Sequence, residues 1–179
     1  MTTSPGRRGV LHVAAACALF LLTRTGLDAS PQTQAAAPTQ STLAISGDVT
    51  RPLTLTPNEL KAMPRTTVSI VDQGREVKYT GVLVGEVLAR AGAPLGRELS
   101  GAAVATYVVA SAKDGYQAVF SLAELDPAFT PNDIIVADTV DGQPLFDYQG
   151  PFRIVAPHDK RGARSVRMLR RIEVVRLKK

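Results

Sequence analysis

Between Pro157 and Arg167 the chain sets His158, Asp159, Lys160, Arg161 and Arg164 around Gly162. Ammonium and guanidinium groups gathered on one flexible connection suit a phosphate, and an arginine fork can take two of its oxygens at once. The charge is local. Residues 153–179 hold ten Lys/Arg and two Asp/Glu, a net of +8 in a chain of +5, which leaves −3 for residues 1–152. A site for an anion, or an anionic partner, is the first chemistry this distribution implies. The plain alternative is a solvated loop that keeps the domain soluble. Asp114-Gly115-Tyr116 allows two readings as well: a tyrosine presented at a ligand cleft, or a hairpin turn beside a core tyrosine.

Other chemistries are poorly served. Cys17 is the only cysteine and lies inside an N-terminal apolar run. Loss of that run leaves no thiol for a disulfide, a thiolate metal site or a nucleophile. His12 leaves with it, so His158 becomes the single histidine and no Cys/His zinc set remains. A Ser-His-Asp device would have to use His158. Asp138, Asp141 and Asp147 lack the spacing of a calcium loop, and nothing in the spacing of Lys113 and Asp114 requires an acid/base pair. There is no GxGxxG before a helix and no Walker lysine loop. Nucleic acid is a poor partner for the basic end, because no aromatics are interleaved with the cations and the rest of the chain is acidic.

The first residues read as an export signal. Arg7 and Arg8 precede Val10–Leu22, an apolar run of 13 residues broken only by His12. A bilayer span needs about 20, whereas a signal core is of this length. An uncleaved anchor is the other reading. Arg7-Arg8 loosely fits a twin-arginine signal, and Ala14-Ala15-Ala16-Cys17 departs from a lipoprotein box at its first position. Residues 1–29 are thus expected to be a signal peptide, its cleavage point falling anywhere up to about residue 37. Residues 30–41 are expected to be a flexible linker rich in Ala, Gln, Ser, Thr and Pro, and residues 42–179 one domain. The location expected is periplasmic or secreted, with no membrane contact beyond the signal.

The elements that would position the basic loop are mostly strands. Leu43–Val49, Thr66–Val71, Glu76–Thr80, Ala103–Ala110, Tyr116–Phe120, Ile134–Val140, Phe152–Ala156 and Val166–Val175 all read as extended. Asp72-Gln73-Gly74, Asp114-Gly115 and Asp141-Gly142 read as turns. Thr56-Pro57-Asn58-Glu59 is a capping box that opens a short helix, and Ser121-Leu122-Ala123-Glu124 is a second such box. Val84, Val87, Leu88 and Ala91 share one face of a helix that Gly92 ends. Arg170-Arg171 breaks the alternation of the last strand, so a bulge or an edge is expected there. The fold class is α+β: a mostly β, mixed-sheet domain with a few short helices.

The order of segments resembles the sulfite-oxidase-type molybdopterin-binding domain in a minimal form. The similarity runs from Gly47-Asp48-Val49 and Pro52-Leu53-Thr54-Leu55, through Tyr79-Thr80-Gly81-Val82 and Ser111-Ala112-Lys113-Asp114-Gly115-Tyr116, to Gly150-Pro151-Phe152-Arg153-Ile154-Val155 and Ser165-Val166-Arg167-Met168-Leu169. The resemblance implies a molybdopterin or molybdenum cofactor whose phosphate is held by basic residues and whose metal is bound by a cysteine thiolate. Ser165 and Arg167, with Arg164 beside them, match the family's stretch before the last strand. His158, Lys160, Arg161 and Tyr116 complete the expected cofactor contacts. The thiolate should precede Tyr79, yet residues 65–78 contain no cysteine. Two functions follow. One is an oxidoreductase-like domain without its usual metal ligand. The other is a non-catalytic binding or accessory module that holds an anionic small molecule or a periplasmic redox partner.

Overall fold

In a computed structural model the described residues are 41–131 and 133–178, all within Pro38–Lys179, one of the two units into which the chain divides. The expected export segment, and the linker up to residue 40, lie outside them.

Among the described residues ten strands form two sheets. The first joins β1 (Leu43–Gly47), β2 (Leu53–Leu55), β5 (Thr106–Ala112), β6 (Gln117–Ser121) and β10 (Leu169–Arg176) in the order β2-β1-β10-β5-β6. Only β1 and β10 run parallel, so the C-terminal strand is inserted beside the N-terminal one. The second joins β3 (Thr66–Asp72), β4 (Arg75–Leu83), β7 (Ile135–Val140) and β8 (Gln143–Pro144) in that order, and β9 (Arg153–Val155) also pairs with β7. Two helices, α1 (Pro57–Lys61) and α2 (Val84–Ala91), and short 3-10 turns complete the mixed, mostly β domain.

The local signals act as expected at several points. Thr56 accepts from the Glu59 amide while the Glu59 carboxylate accepts from the Thr56 amide, which starts α1. Gly92, at φ 72°, ends α2. Ser121 and Glu124 exchange the same reciprocal bonds, although the element they cap is a 3-10 turn rather than a helix.

Three boundaries differ from expectation. The strand expected from Ala103 begins at Thr106, because its ladder partner β10 ends opposite it (Arg176 with Thr106), and Gly101–Ala105 forms a 3-10 turn instead. The last strand begins at Leu169 rather than Val166, since Met168 takes φ 47° and breaks the extended run. The irregularity expected at Arg170-Arg171 is a bulge between Leu169 and Arg171. It lies in a strand paired on both sides, not at an edge or a solvated end.

Alternation then divides the core. Along β7, Val136 faces a large cluster with Val82, Phe152, Ile154 and Leu169, while Ile135 and Ala137 face a smaller one with Val68, Val77, Tyr79 and Val155. Successive side chains of a strand point to opposite faces. In β9, Ile154 therefore enters the large cluster, and Arg153 shares the face of Val155 and the small one.

Candidate functional site

Arg153 is the unusual member of that face. It is 6 % exposed and forms no ion pair among the described residues. One guanidinium nitrogen, Nη1, donates to the Tyr79 hydroxyl and to the Gln149 side-chain oxygen, both at 2.7 Å. The guanidinium carbon lies 4.8 Å from the centre of the Tyr79 ring. The buried Nε has no partner. A buried charge costs several kcal/mol unless it is paired, and here the partners are neutral. Burial, above all, holds the Arg153 guanidinium below the usual arginine range, and the nearby Arg167 pushes the same way. Tyr79 and Asp72 oppose this. Arg153 is thus a buried guanidinium with an orphaned N–H and a second cation, Arg167, near enough to act against its charge.

The walls of this place come from two loop segments. Leu145–Pro151 carries Gln149, which holds Arg153, and Phe146 and Tyr148, whose exposed rings stack at 5.9 Å with 1° between planes. Arg167 sits 6.0 Å from the centre of the Tyr148 ring. Met168 stitches the segments together: its N–H donates to the Gln149 carbonyl, and its own carbonyl accepts from the Lys113 amide, each at 2.9 Å. Its left-handed backbone is strain that these bonds hold in place. A cleft of about 520 Å³ borders the same segments and is lined by Asn58, Lys113, Asp147, Pro151, Met168 and Arg170. Neither Lys113 nor Arg170 has an ion pair among the described residues.

The residues expected from sequence fall into two groups. Tyr116, Ser165 and Arg167 share a cleft of about 220 Å³ with Ala112, Asp114 and Ala163. The Tyr116 hydroxyl donates to the Ala163 carbonyl at 2.6 Å, which pins the loop to the turn before β6. Ser165 is buried, and its Oγ accepts from the Ala156 amide at 3.3 Å. His158 and Arg164 instead line a second cleft, of about 230 Å³, with Glu124 and Asp159. There Arg164 makes two bonds to Asp159 (2.7 and 2.8 Å) and two to Glu124 (3.1 and 3.2 Å), and lies 4.8 Å from the centre of the Phe120 ring. The hydrogen bonds that Arg164 donates to Asp159 above all push the Arg164 pKa up, and those bonds hold the Asp159 carboxyl below its usual range. His158 Nε2 lies 2.9 Å from Asp133 Oδ1. Lys160 and Arg161 are exposed.

Arg153, Gln149, Tyr79 and Tyr148 were not among the sequence candidates. Arg153 had a legible signal, a charge within the apolar run Phe152-Arg153-Ile154-Val155, where charged residues are seldom buried without a purpose. Nothing in the sequence pointed to Tyr79 or Gln149. The three aspartates dismissed as a metal site are otherwise engaged or apart: Asp138 is gripped by Arg65 through two bonds, and Asp141 by Arg75 and the Lys78 amide. Among the described residues no group of three His, Cys, Asp or Glu is placed to hold a metal.

Fold and site together define a mostly β domain with a buried, unneutralised arginine beneath a rim of aromatic and cationic side chains. The profile of the oxidoreductase molybdopterin binding domain family matches residues 29–179, and the chain belongs to that family. A search of curated proteins found no match. Among solved structures, the sulfane dehydrogenase SoxCD from Paracoccus pantotrophus is similar in fold, with a TM-score of 0.61 at 20% identity. The likeness covers 79% of this chain and 40% of that one, so this chain spans less than half of the protein it matches.

Proposed function

We propose that this protein is an exported molybdopterin-binding-domain protein that grips the anionic end of a pterin-type ligand at Arg153 and Arg167 and offers the metal no protein thiolate. Arg153 carries the proposal, because a buried guanidinium with an orphaned N–H and no carboxylate is incomplete without an anion. The donor set fits a phosphate: Arg153 supplies hydrogen bonds from a desolvated position, and Arg167 supplies charge at the rim. Tyr148 and Phe146 offer flat faces against which a planar ring can stack. Tyr79 and Gln149 keep the Arg153 fork in one orientation. When bound, a molybdenum cofactor supplies a redox-active metal. The metal end fits less well, since the only cysteine is Cys17, in the export segment.

That last observation favours a second reading, a non-catalytic binding or accessory module that uses the same anion site. Elemental analysis and visible spectroscopy of the protein purified from its own cells separate the two. Stoichiometric molybdenum would sink the accessory reading, and a colourless, metal-free protein from molybdenum-replete cells would sink the oxidoreductase one. The shared anion site has its own test. Arg153→Met should weaken binding of inorganic phosphate or a phosphate-bearing pterin about 30-fold, the worth of a charge-assisted hydrogen bond of about 2 kcal/mol. Unchanged affinity in a folded variant places the anion elsewhere.

A further inference from the structure

The start of β10 carries two successive irregularities. Met168 takes φ 47°, and the ladder with β5 then passes from Leu169–Ala112 to Arg171–Ser111, which leaves Arg170 opposite no residue of β5. The extra residue lets Leu169 and Ile172, three positions apart, both reach the core, which strict alternation would forbid. A bulge re-aims a side chain. Here Arg170, half-buried, lines the cleft of about 520 Å³. Lys113 lines it too, and its amide is tied to the Met168 carbonyl at 2.9 Å. The other two arginines of β10 are neutralised, Arg171 by Glu173 at 3.2 Å and Arg176 by Asp48 at 2.7 Å. Arg170 and Lys113 have no such partner among the described residues.

We propose that this cleft is a second anion site, for the monoanionic carboxylate of a small organic acid, with Arg170 and Lys113 as its cations. The site does not depend on the reading of Arg153. Taking a guanidinium partly out of water without a counter-ion costs free energy that a bound anion offsets. A guanidinium fork matches the two oxygens of a carboxylate, and the Lys113 ammonium adds a point charge. Asn58, in the first turn of α1, brings an amide that can donate to the same group. Asp147 is the one carboxylate of the lining, so two cations face one anion and the cleft carries a net +1. One negative charge completes that balance. A second would meet the repulsion of Asp147, so sulfate or a phosphate dianion is disfavoured. The volume lies within the roughly 300–1,000 Å³ of small-molecule pockets, with room for the organic part of the acid.

NMR titration of the full chain with lactate, its neutral isostere lactamide, and sulfate tests this. Titration to about 50 mM reaches well beyond a millimolar dissociation constant. Lactate is expected to shift the signals of Asn58, Lys113 and Arg170 and to saturate them, lactamide to leave them unmoved, and sulfate to bind there more weakly than lactate. Arg170→Met should weaken lactate about 10-fold or more, the loss of a charge-assisted hydrogen bond. Lys113 is exposed, so Lys113→Met should weaken lactate while leaving the urea midpoint unchanged, which keeps the test valid if Arg170→Met folds poorly. Arg161→Met, which removes an exposed cation outside the cleft, should leave lactate affinity unchanged. Asp147→Asn should raise sulfate affinity in the cleft about 5-fold. The proposal is overturned by cleft signals that do not respond to lactate, by lactamide binding as well as lactate, or by sulfate binding more tightly than lactate. Lactate affinity that survives Lys113→Met, or that falls as much in Arg161→Met, overturns it too, as does sulfate affinity unchanged in Asp147→Asn. Phosphate binding at Arg153 is read through Arg153→Met and does not enter this titration, so either site can fail alone.

Discussion

Arg153 and Arg164 are the same residue type eleven positions apart, and their surroundings divide their work. Arg164 is neutralised by Asp159 and Glu124 and ties the basic loop to the turn after β6. Arg153 is buried among neutral partners. Arg164→Ala is therefore expected to cost stability, about 1–2 kcal/mol after allowing for the part of the network open to water, while phosphate affinity changes less than in Arg153→Met. The pH dependence separates them further. The Asp159 carboxyl is held low by its hydrogen bonds from Arg164. This contribution is complete above the unfolded carboxyl value of about 3.9 and is lost as pH falls through the lower folded value. Urea denaturation at neutral and acid pH should show that the loss shrinks in Arg164→Ala. Equal acid sensitivity in both proteins would remove Asp159 from the account.

At the scale of elements, the insertion of β10 between β1 and β5 shapes the site, because it draws Arg167 and Met168 against the Leu145–Pro151 segment. Gly47 guards that insertion. It has φ 95°, and a Cβ there would collide with the Val174 carbonyl of β10. Gly47→Ala should destabilise the domain by about 2–4 kcal/mol, through backbone strain and overpacking together, read as a lowered urea midpoint. Thr56→Ala removes only the cap of a five-residue helix and should cost about 1 kcal/mol. A larger loss at Thr56 than at Gly47 would mean that α1, not the β1–β10 ladder, limits stability. The caps and turns were legible because each rests on neighbours in sequence. The true start of β5 was not, because it is set by where β10 ends, some seventy residues later.

Across the whole molecule the basic end is less of a uniform patch than its composition implies. Asp48, Asp133, Glu124, Asp159 and Glu173 each take one of its cations or its histidine. Lys160, Arg161, Arg167 and Arg170 have no ion pair among the described residues. Exposed cations are screened within about 10 Å at 0.1 M salt, whereas a buried guanidinium is screened much less. Phosphate affinity should thus fall several-fold as salt rises to about 1 M and then level off, with the residual binding removed by Arg153→Met. Complete loss of binding with salt alone would mean that the surface cations carry it.

The amino-acid sequence by itself determined the mostly β class, the family resemblance, the capping boxes and turns, an irregularity at Arg170-Arg171, and the concentration of charge after residue 152. The family resemblance rests on the order of its segments, and the others are written in periodicity, short spacings or composition. Only the tertiary structure decided which cations remain free. Arg164, one of the loop residues expected to contact a ligand, is held by carboxylates forty and five residues away. Arg153, which looked like part of a strand, is buried beside Tyr79, 74 positions earlier, without a counter-charge. Pairing across such separations depends on strand order and on which face alternation selects, and a linear sequence does not state either.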